Sequence, residues 1–347
     1  MSATTKSARS GWHEGPRPVP WRAIAWVTWR RQRAVAVGVA ALLTVTAGYL
    51  LVAGLWMHRA AALVYACHPL GSGLCQGAAS DFASGYALGI GVTVALLQAV
   101  PVLIGAFAGA PLLARELETG TFRFTWSQGF GRVRWTIAML VPAAVAVMAA
   151  TGALSALISW WAGPIWGIQT DDSPFQPTIF DLRGLGLAAW TLVAFAIGAL
   201  AGMLIRRVVP AMAATLAAWT GLAVAAGYMR KHYQAPLVTS NLTVPRNTWV
   251  LSQGWTRGGK PVSLSALSQA LLPIHVQATT QGQFQPIGPV PQVDPMRYLV
   301  QHGYVQLTTY QPVSRFWTFQ WIEAGWLAAL SALLLIATVW LVRRRVV

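Results

Sequence analysis

The sequence predicts an all-α polytopic membrane protein: six transmembrane helices, with a small extracytoplasmic domain between the fifth and the sixth. Three observations predict it. Hydrophobic residues make up 55% of the 347 and charged residues only 10%, against about 25% charged in an ordinary soluble domain. A chain this apolar has too little polar surface to cover a soluble globule, and the same hydrophobicity excludes disorder over most of its length. Six stretches reach the roughly 20 apolar residues needed to cross a bilayer, and the basic residues fall in alternate connections between them.

Taken in order, residues 1–18 are polar and are expected to be a disordered cytoplasmic leader. Residues 19–33 mix Trp21, Ile24, Trp26 and Trp29 with Arg22, Arg30, Arg31 and Arg33, the composition of an amphipathic connecting helix in the headgroup plane. The first span, 34–56, is too long for the core of a signal peptide and is expected in the mature protein. The second, 86–113, carries Gln98 and Pro101 in mid-segment, and the third is 135–160. The fourth and fifth, 184–205 and 208–228, are separated by Arg206 and Arg207 alone, a tight helical hairpin with Pro210 opening the return helix. The sixth, 322–342, has Glu323 at its edge and is followed by Arg343, Arg344 and Arg345. Gly105 and Gly109, and again Gly198 and Gly202, have the spacing that lets membrane helices approach closely.

Lys and Arg set the orientation. Sixteen of them lie in the leader, the 114–134 loop, the hairpin turn and the C-terminal tail, whereas the two short loops on the opposite side hold only Arg59 and Arg183. Both termini are therefore expected in the cytoplasm of a multi-pass cell-membrane protein. The net charge of +16 then reflects basic flanks against anionic lipid headgroups, and no nucleic acid is needed to explain it. The long segment 229–321 falls outside, where its basic residues have no vote. It is expected to be a small folded domain with strands near 237–244 and 305–310 and a short helix near 263–272. Cys67 and Cys75 share the first outer loop. In an oxidising compartment they are expected to form a disulfide, the alternative being two buried thiols.

Sites for chemistry are sparse. Residues 254–260 read G-W-T-R-G-G-K, but Pro261 follows where a phosphate-binding loop needs Ser or Thr for magnesium; a glycine-rich turn is the better reading. No nucleophile, zinc or acid–base constellation is present, so neither a catalytic residue, a metal nor a bound cofactor is expected in this chain. His232, His275 and His302 are better read as ordinary surface histidines than as ligands. Gln98 and Glu323 are the polar candidates for a translocation path. Gln98 equally suits an interhelical hydrogen bond, and Glu323 a pair with Arg315 or a headgroup.

The 114–134 loop carries the most information. The second helix can leave the membrane through Glu118 and stop at Gly120. Thr121 can cap a new short helix presenting Phe122, Phe124 and Trp126 among Arg123, Ser127 and Gln128. Aromatics and Arg dominate interface energies, which suits docking on a partner; the same residues suit an anchor at the headgroups.

Two stretches carry a resemblance. One is A-R-E-L-E-T-G-T over 114–121, continuing through F-T-W-S-Q at 124–128 and R-V-R-W at 132–135. The other is Y-Q-P-V-S-R-F-W-T-F-Q-W-I-E over 310–323. Together with six spans and an enlarged outer region before the sixth, they resemble the permease subunits of ABC-2 type ABC transporters, in particular those of high-GC Gram-positive bacteria. The resemblance implies the six-helix ABC-2 exporter fold. It also implies that Glu116, Glu118, Gly120, Thr121, Arg123, Trp126, Ser127 and Gln128 form a coupling helix seated in a separate ABC ATPase subunit, which would bind the ATP and magnesium. Two permease subunits, identical or paralogous, would pair in the membrane lipid. The expected function is an ATP-driven exporter of a hydrophobic or amphipathic compound such as a drug, antibiotic or lipid, in which this chain is a transport subunit and not an enzyme. The alternative is a membrane-anchored enzyme or sensor acting through 229–321.

Overall fold

The computed structural model describes residues 21–67, 73–119, 132–168, 173–242, 244–245, 247–271 and 294–345. Its membrane part is built from α1 (Trp21–Tyr65), α2 (Gly73–Gln98), α3 (Val100–Ile104), a π-helical turn (Gly105–Gly109), α4 (Ala110–Glu118), α5 (Arg132–Trp161), α6 (Gly163–Ile168), α7 (Pro177–Phe180), α8 (Gly186–Ile205) and α9 (Val208–Arg230). After a small sheet domain the chain returns through α12 (Phe316–Arg345). Six of these segments are long and apolar enough to span a membrane, with α2, α3, the π turn and α4 reading as one span.

The first helix differs from expectation. Residues 19–33 and the first span are not separate elements, because α1 continues from Trp21 to Tyr65. Neither Gly nor Pro occurs between Trp21 and Val37, so nothing in that stretch terminates the helix. At 45 residues it is about 68 Å long, about twice the hydrocarbon thickness. The sixth span also starts earlier than expected, at Phe316, directly after Pro312 and a 3-10 turn over Val313–Arg315.

Helix α8 is the axis of the bundle. It packs against α3, the π turn and α4 on one side and against α5, α9 and α12 on others. Two thirds of its membrane window is buried (67%), against 6% for α1 and 11% for α9. Its contact with the second span is made backbone to backbone. A Cβ on Gly105 would sit 2.5 Å from the Ala194 carbonyl, and one on Gly109 would sit 2.6 Å from that of Phe195. From the other side, a Cβ on Gly198 would collide with the Gly105 carbonyl and one on Gly202 with that of Ala110. The two glycine pairs thus face each other. The π turn between Gly105 and Gly109 widens the second span where α8 crosses it, a common cause of local helix distortion.

At the end bearing the chain termini, Leu113, Trp135, Met139, Met203, Leu341 and Val342 form one apolar cluster, which fixes the points where four spans leave the bundle. At the other end, Cys67 and Cys75 are disulfide-bonded, clipping the end of α1 to the first turn of α2. Such a clip limits the unfolded chain. Replacing Cys67 with Ser is expected to lower stability by about 2–3 kcal/mol. A thermal melt of the purified chain, with and without reductant, checks this: the variant and the reduced wild type should melt alike.

The sheet domain holds β1 (Leu237–Thr239), β2 (Trp249–Arg257), β3 (Lys260–Val262), a helix over 264–271 labelled α10, α11 (Pro295–Gln301) and β4 (Tyr304–Gln311). The strands pair antiparallel in the order β1-β4-β2-β3. The glycine-rich 254–260 stretch is the end of β2 and its hairpin turn: Arg257 pairs with Lys260 across Gly258 and Gly259. Both glycines have positive φ, as a tight two-residue hairpin requires. The expected strand at 237–244 shortens to three residues, because the Thr239 hydroxyl accepts the Asn241 N–H and ends it. The domain is fastened to the bundle by Gln311, which donates to the Gln234 carbonyl at 2.8 Å, and by Arg315, which donates to the Ala235 carbonyl and to Gln311 Oε1, both at 2.7 Å.

Candidate functional site

Two sites stand at opposite ends of the bundle. At the sheet end, three segments far apart in sequence converge on one guanidinium. Arg230 closes α9, Glu323 lies in the second turn of α12, and Asp181 lies between α7 and α8. Arg230 grips Glu323 as a fork, with Nε to Oε2 at 3.0 Å and Nη2 to Oε1 at 2.7 Å. The same Nη2 also donates to Asp181 Oδ1. Glu323 accepts two more bonds, from Trp190 Nε1 at 3.0 Å and from the Tyr233 hydroxyl at 3.3 Å, and Trp326 Nε1 donates to that hydroxyl at 3.0 Å. The Arg230 guanidinium rests over the Phe180 ring, 4.2 Å from its centroid, a cation–π contact.

The cluster is dry. Arg230 and Glu323 side chains are 2% and 1% exposed, and Asp181 is 20% exposed. Around it Phe175, Phe180, Phe316 and Phe319 form an aromatic core with Tyr233 and Trp249 packed on it. Burial pushes the Asp181 carboxyl up to about 7; Arg230 pulls the other way and the Glu323 charge adds to the rise. Burial lowers Arg183 to about 10, and burial, then Glu323, raises Tyr233 to about 12.

Neighbouring amides hold the loop that carries Asp181. Gln320 donates to the Phe180 carbonyl at 2.9 Å, while its Oε1 accepts the N–H groups of Leu185 and Gly186 at 3.1 and 3.0 Å. Those are orphan donors at the start of α8. Ser155 on α5 lies within 3.0 Å of both the Leu182 and the Gly184 carbonyls. Gln98 donates to the Thr178 carbonyl at 2.6 Å, at the break that Pro101 imposes between α2 and α3.

Of the two candidates for a path, Gln98 holds the 173–185 loop directly, Glu323 is joined to it only through Arg230, and the two do not meet each other. Glu323 also differs from expectation in its partner, which is Arg230 and neither Arg315 nor a headgroup. Arg315 lies eight residues earlier, about 12 Å along a helix, and is engaged on the linker at Ala235. Arg230 and Asp181 are the functional residues that sequence reasoning missed. The available signal was an opposite charge at the same edge of two successive spans.

At the terminal end, α4 carries Glu116, half-buried, and Glu118, exposed. Glu118 Oε2 accepts the Val208 N–H at 3.1 Å, which places a carboxylate at the N-terminus of α9. Gly120, Thr121, Arg123, Trp126, Ser127 and Gln128 lie outside the described residues. So does His275; His232 is exposed and His302 stacks on Tyr298. Among the described residues, no group of three or more His, Cys, Asp or Glu side chains is placed to hold a metal ion.

Six apolar spans, one of them a buried central helix, with charge confined to their ends, define a polytopic membrane protein. The model of the family described as ABC-2 membrane transporter related matches residues 40–230, more than half of the chain, and the chain belongs to that family. The match begins inside the first span and runs to the end of the fifth, taking in the loop after α4, Asp181 and Arg230. No curated protein and no solved structure matches the chain.

Proposed function

We propose that this chain is the membrane-spanning permease subunit of an ATP-driven exporter that moves a hydrophobic or amphipathic compound, such as a drug, antibiotic or lipid, across the cell membrane. The observation that carries the reading is family membership over 40–230. A separate ABC ATPase binds ATP and magnesium and grips the loop formed by Glu116, Glu118, Gly120, Thr121, Arg123, Trp126, Ser127 and Gln128. A second permease subunit, identical or paralogous, completes the membrane part. The termini lie in the cytoplasm and the sheet domain outside, as the asymmetry of Lys and Arg requires.

In this reading Glu118 has a second task. Its bond to Val208 links the end of the second span to the α8–α9 hairpin, so a push on the loop reaches α8 both there and through the glycine crossing. When the 173–185 loop lifts at the outer end, Gln98 and Glu323 become polar walls of the opened path.

Co-purification of the tagged full-length chain with an ATPase subunit co-expressed from an adjacent reading frame tests the reading. Replacing Trp126 with Ala is expected to cost about 2 kcal/mol, roughly a thirtyfold loss in affinity. Capture unaffected by simultaneous replacement of Glu116, Gly120 and Trp126 would overturn the docking assignment, and ATP hydrolysis by this chain alone would overturn the division of labour.

A further inference from the structure

The cluster at the sheet end holds two carboxylates and one guanidinium. If both acids were ionised, a largely buried aromatic pocket would contain one uncompensated negative charge, which burial opposes strongly. The geometry decides which acid gives way. Glu323 accepts four hydrogen bonds, two from the Arg230 fork and one each from Trp190 and Tyr233. Those four donors fill the roughly four lone-pair sites that a carboxylate offers. Asp181 receives a single bond, from the second N–H of Nη2. It is also the member of the trio open to solvent, at 20% against 1–2% for the others.

We infer that Asp181 is a proton-binding site: it carries the surplus proton of the Arg230–Glu323–Asp181 cluster and, while it holds that proton, fastens the 173–185 loop to α9 and α12. The charged and titratable groups around it are Arg230 and Tyr233 from the α9 side, Glu323 from α12, and Arg183 two residues on in its own loop. Arg183 and Tyr233 change charge only in alkaline solution, and Glu323 is saturated with donors, which leaves Asp181 as the group that exchanges a proton near neutrality. Occupancy by the proton neutralises the cluster. Its loss sets two carboxylates against one guanidinium and loosens the loop. The inference concerns this chain alone and stands independently of the transport reading.

The sign of the pH dependence follows. In the folded chain Asp181 keeps its proton to about pH 7, whereas the ordinary value is 3.8. The folded state therefore binds the extra proton between those values, and the stability it contributes is full below 3.8 and declines as pH rises to about 7.

Infrared difference spectra of the full-length chain in lipid nanodiscs, titrated from pH 5 to pH 8, test the inference. Wild type is expected to lose one protonated-carboxyl band with a midpoint near neutrality. D181N is expected to lack that band, and D294N, which alters an exposed helix cap, to keep it. Because D181N could fail to fold, E323Q supplies a second arm: with the competing charge gone, Asp181 becomes the ionised partner of Arg230, and its midpoint should fall by about 1–3 pH units. A neutral-range carboxyl band that survives D181N, an unmoved midpoint in E323Q, or a wild type with no carboxyl titrating between pH 5 and pH 8 would each overturn it.

Discussion

Replacing Arg230 with Ala is expected to be the most damaging single substitution in the chain, costing about 3–5 kcal/mol. The change removes the only cation described in contact with Asp181 and Glu323 and strands the two acids in an aromatic pocket. It also removes the guanidinium stacked on Phe180. A thermal melt monitored by size-exclusion fluorescence should show early loss of the monodisperse species. Arg230→Lys should recover only part of the loss, because an ammonium cannot make the two-point grip on Glu323. Replacing all three charged residues together, with Leu at 230 and 323 and Asn at 181, should be milder than Arg230→Ala, since a buried ion cluster exchanged for apolar groups is often near neutral. A triple variant less stable than the single one would show that packing, not charge compensation, holds this end together.

The second large effect is expected at Gly198. Its Cβ position is occupied by the backbone of Gly105, Gly109 and Ala110, which cannot rotate out of the way as a side chain can. Gly198→Leu should destabilise at the upper end of the roughly 1–3 kcal/mol seen for overpacking, and Gly202→Leu should behave similarly against Ala110. Gly152 and Gly221, with nothing within 4 Å of their Cβ positions, are the controls: Ala at either should leave the melting temperature unchanged or raise it slightly. If Leu at 198 and Ala at 152 melt alike, the crossing of α8 and the second span is not the tight backbone contact described above.

These two sites differ in how far they can be read from the amino-acid order. The glycine pairs at 105/109 and 198/202 are legible as places of close helix approach, because a missing Cβ is a local property. That one pair meets the other, with a π turn between Gly105 and Gly109, is not legible, because many helix pairings satisfy the same spacing. Glu323 is legible as a costly carboxylate at a membrane edge. Its partner is not: Arg230 lies 93 residues away, and Arg315, nearer in sequence, satisfies the same rule of opposite charge. The amphipathic 19–33 segment illustrates the converse. Its composition suits a surface helix, yet neither Gly nor Pro lies between Trp21 and Val37 to break the helix before the first span, so the backbone runs on.

The amino-acid order by itself determined that six segments are apolar enough to enter the bilayer, that charge is confined to their ends, and that a polar stretch separates the fifth from the sixth. Hydrophobicity and charge act on each segment independently of the others, so the bilayer sorts them without reference to the fold. Only the tertiary structure decided that α8 is the central helix, that the strands run β1-β4-β2-β3, and that Asp181, Arg230 and Glu323 share one pocket. Those outcomes depend on which distant surfaces exclude lipid and water from each other, and such pairwise choices are made when the helices pack.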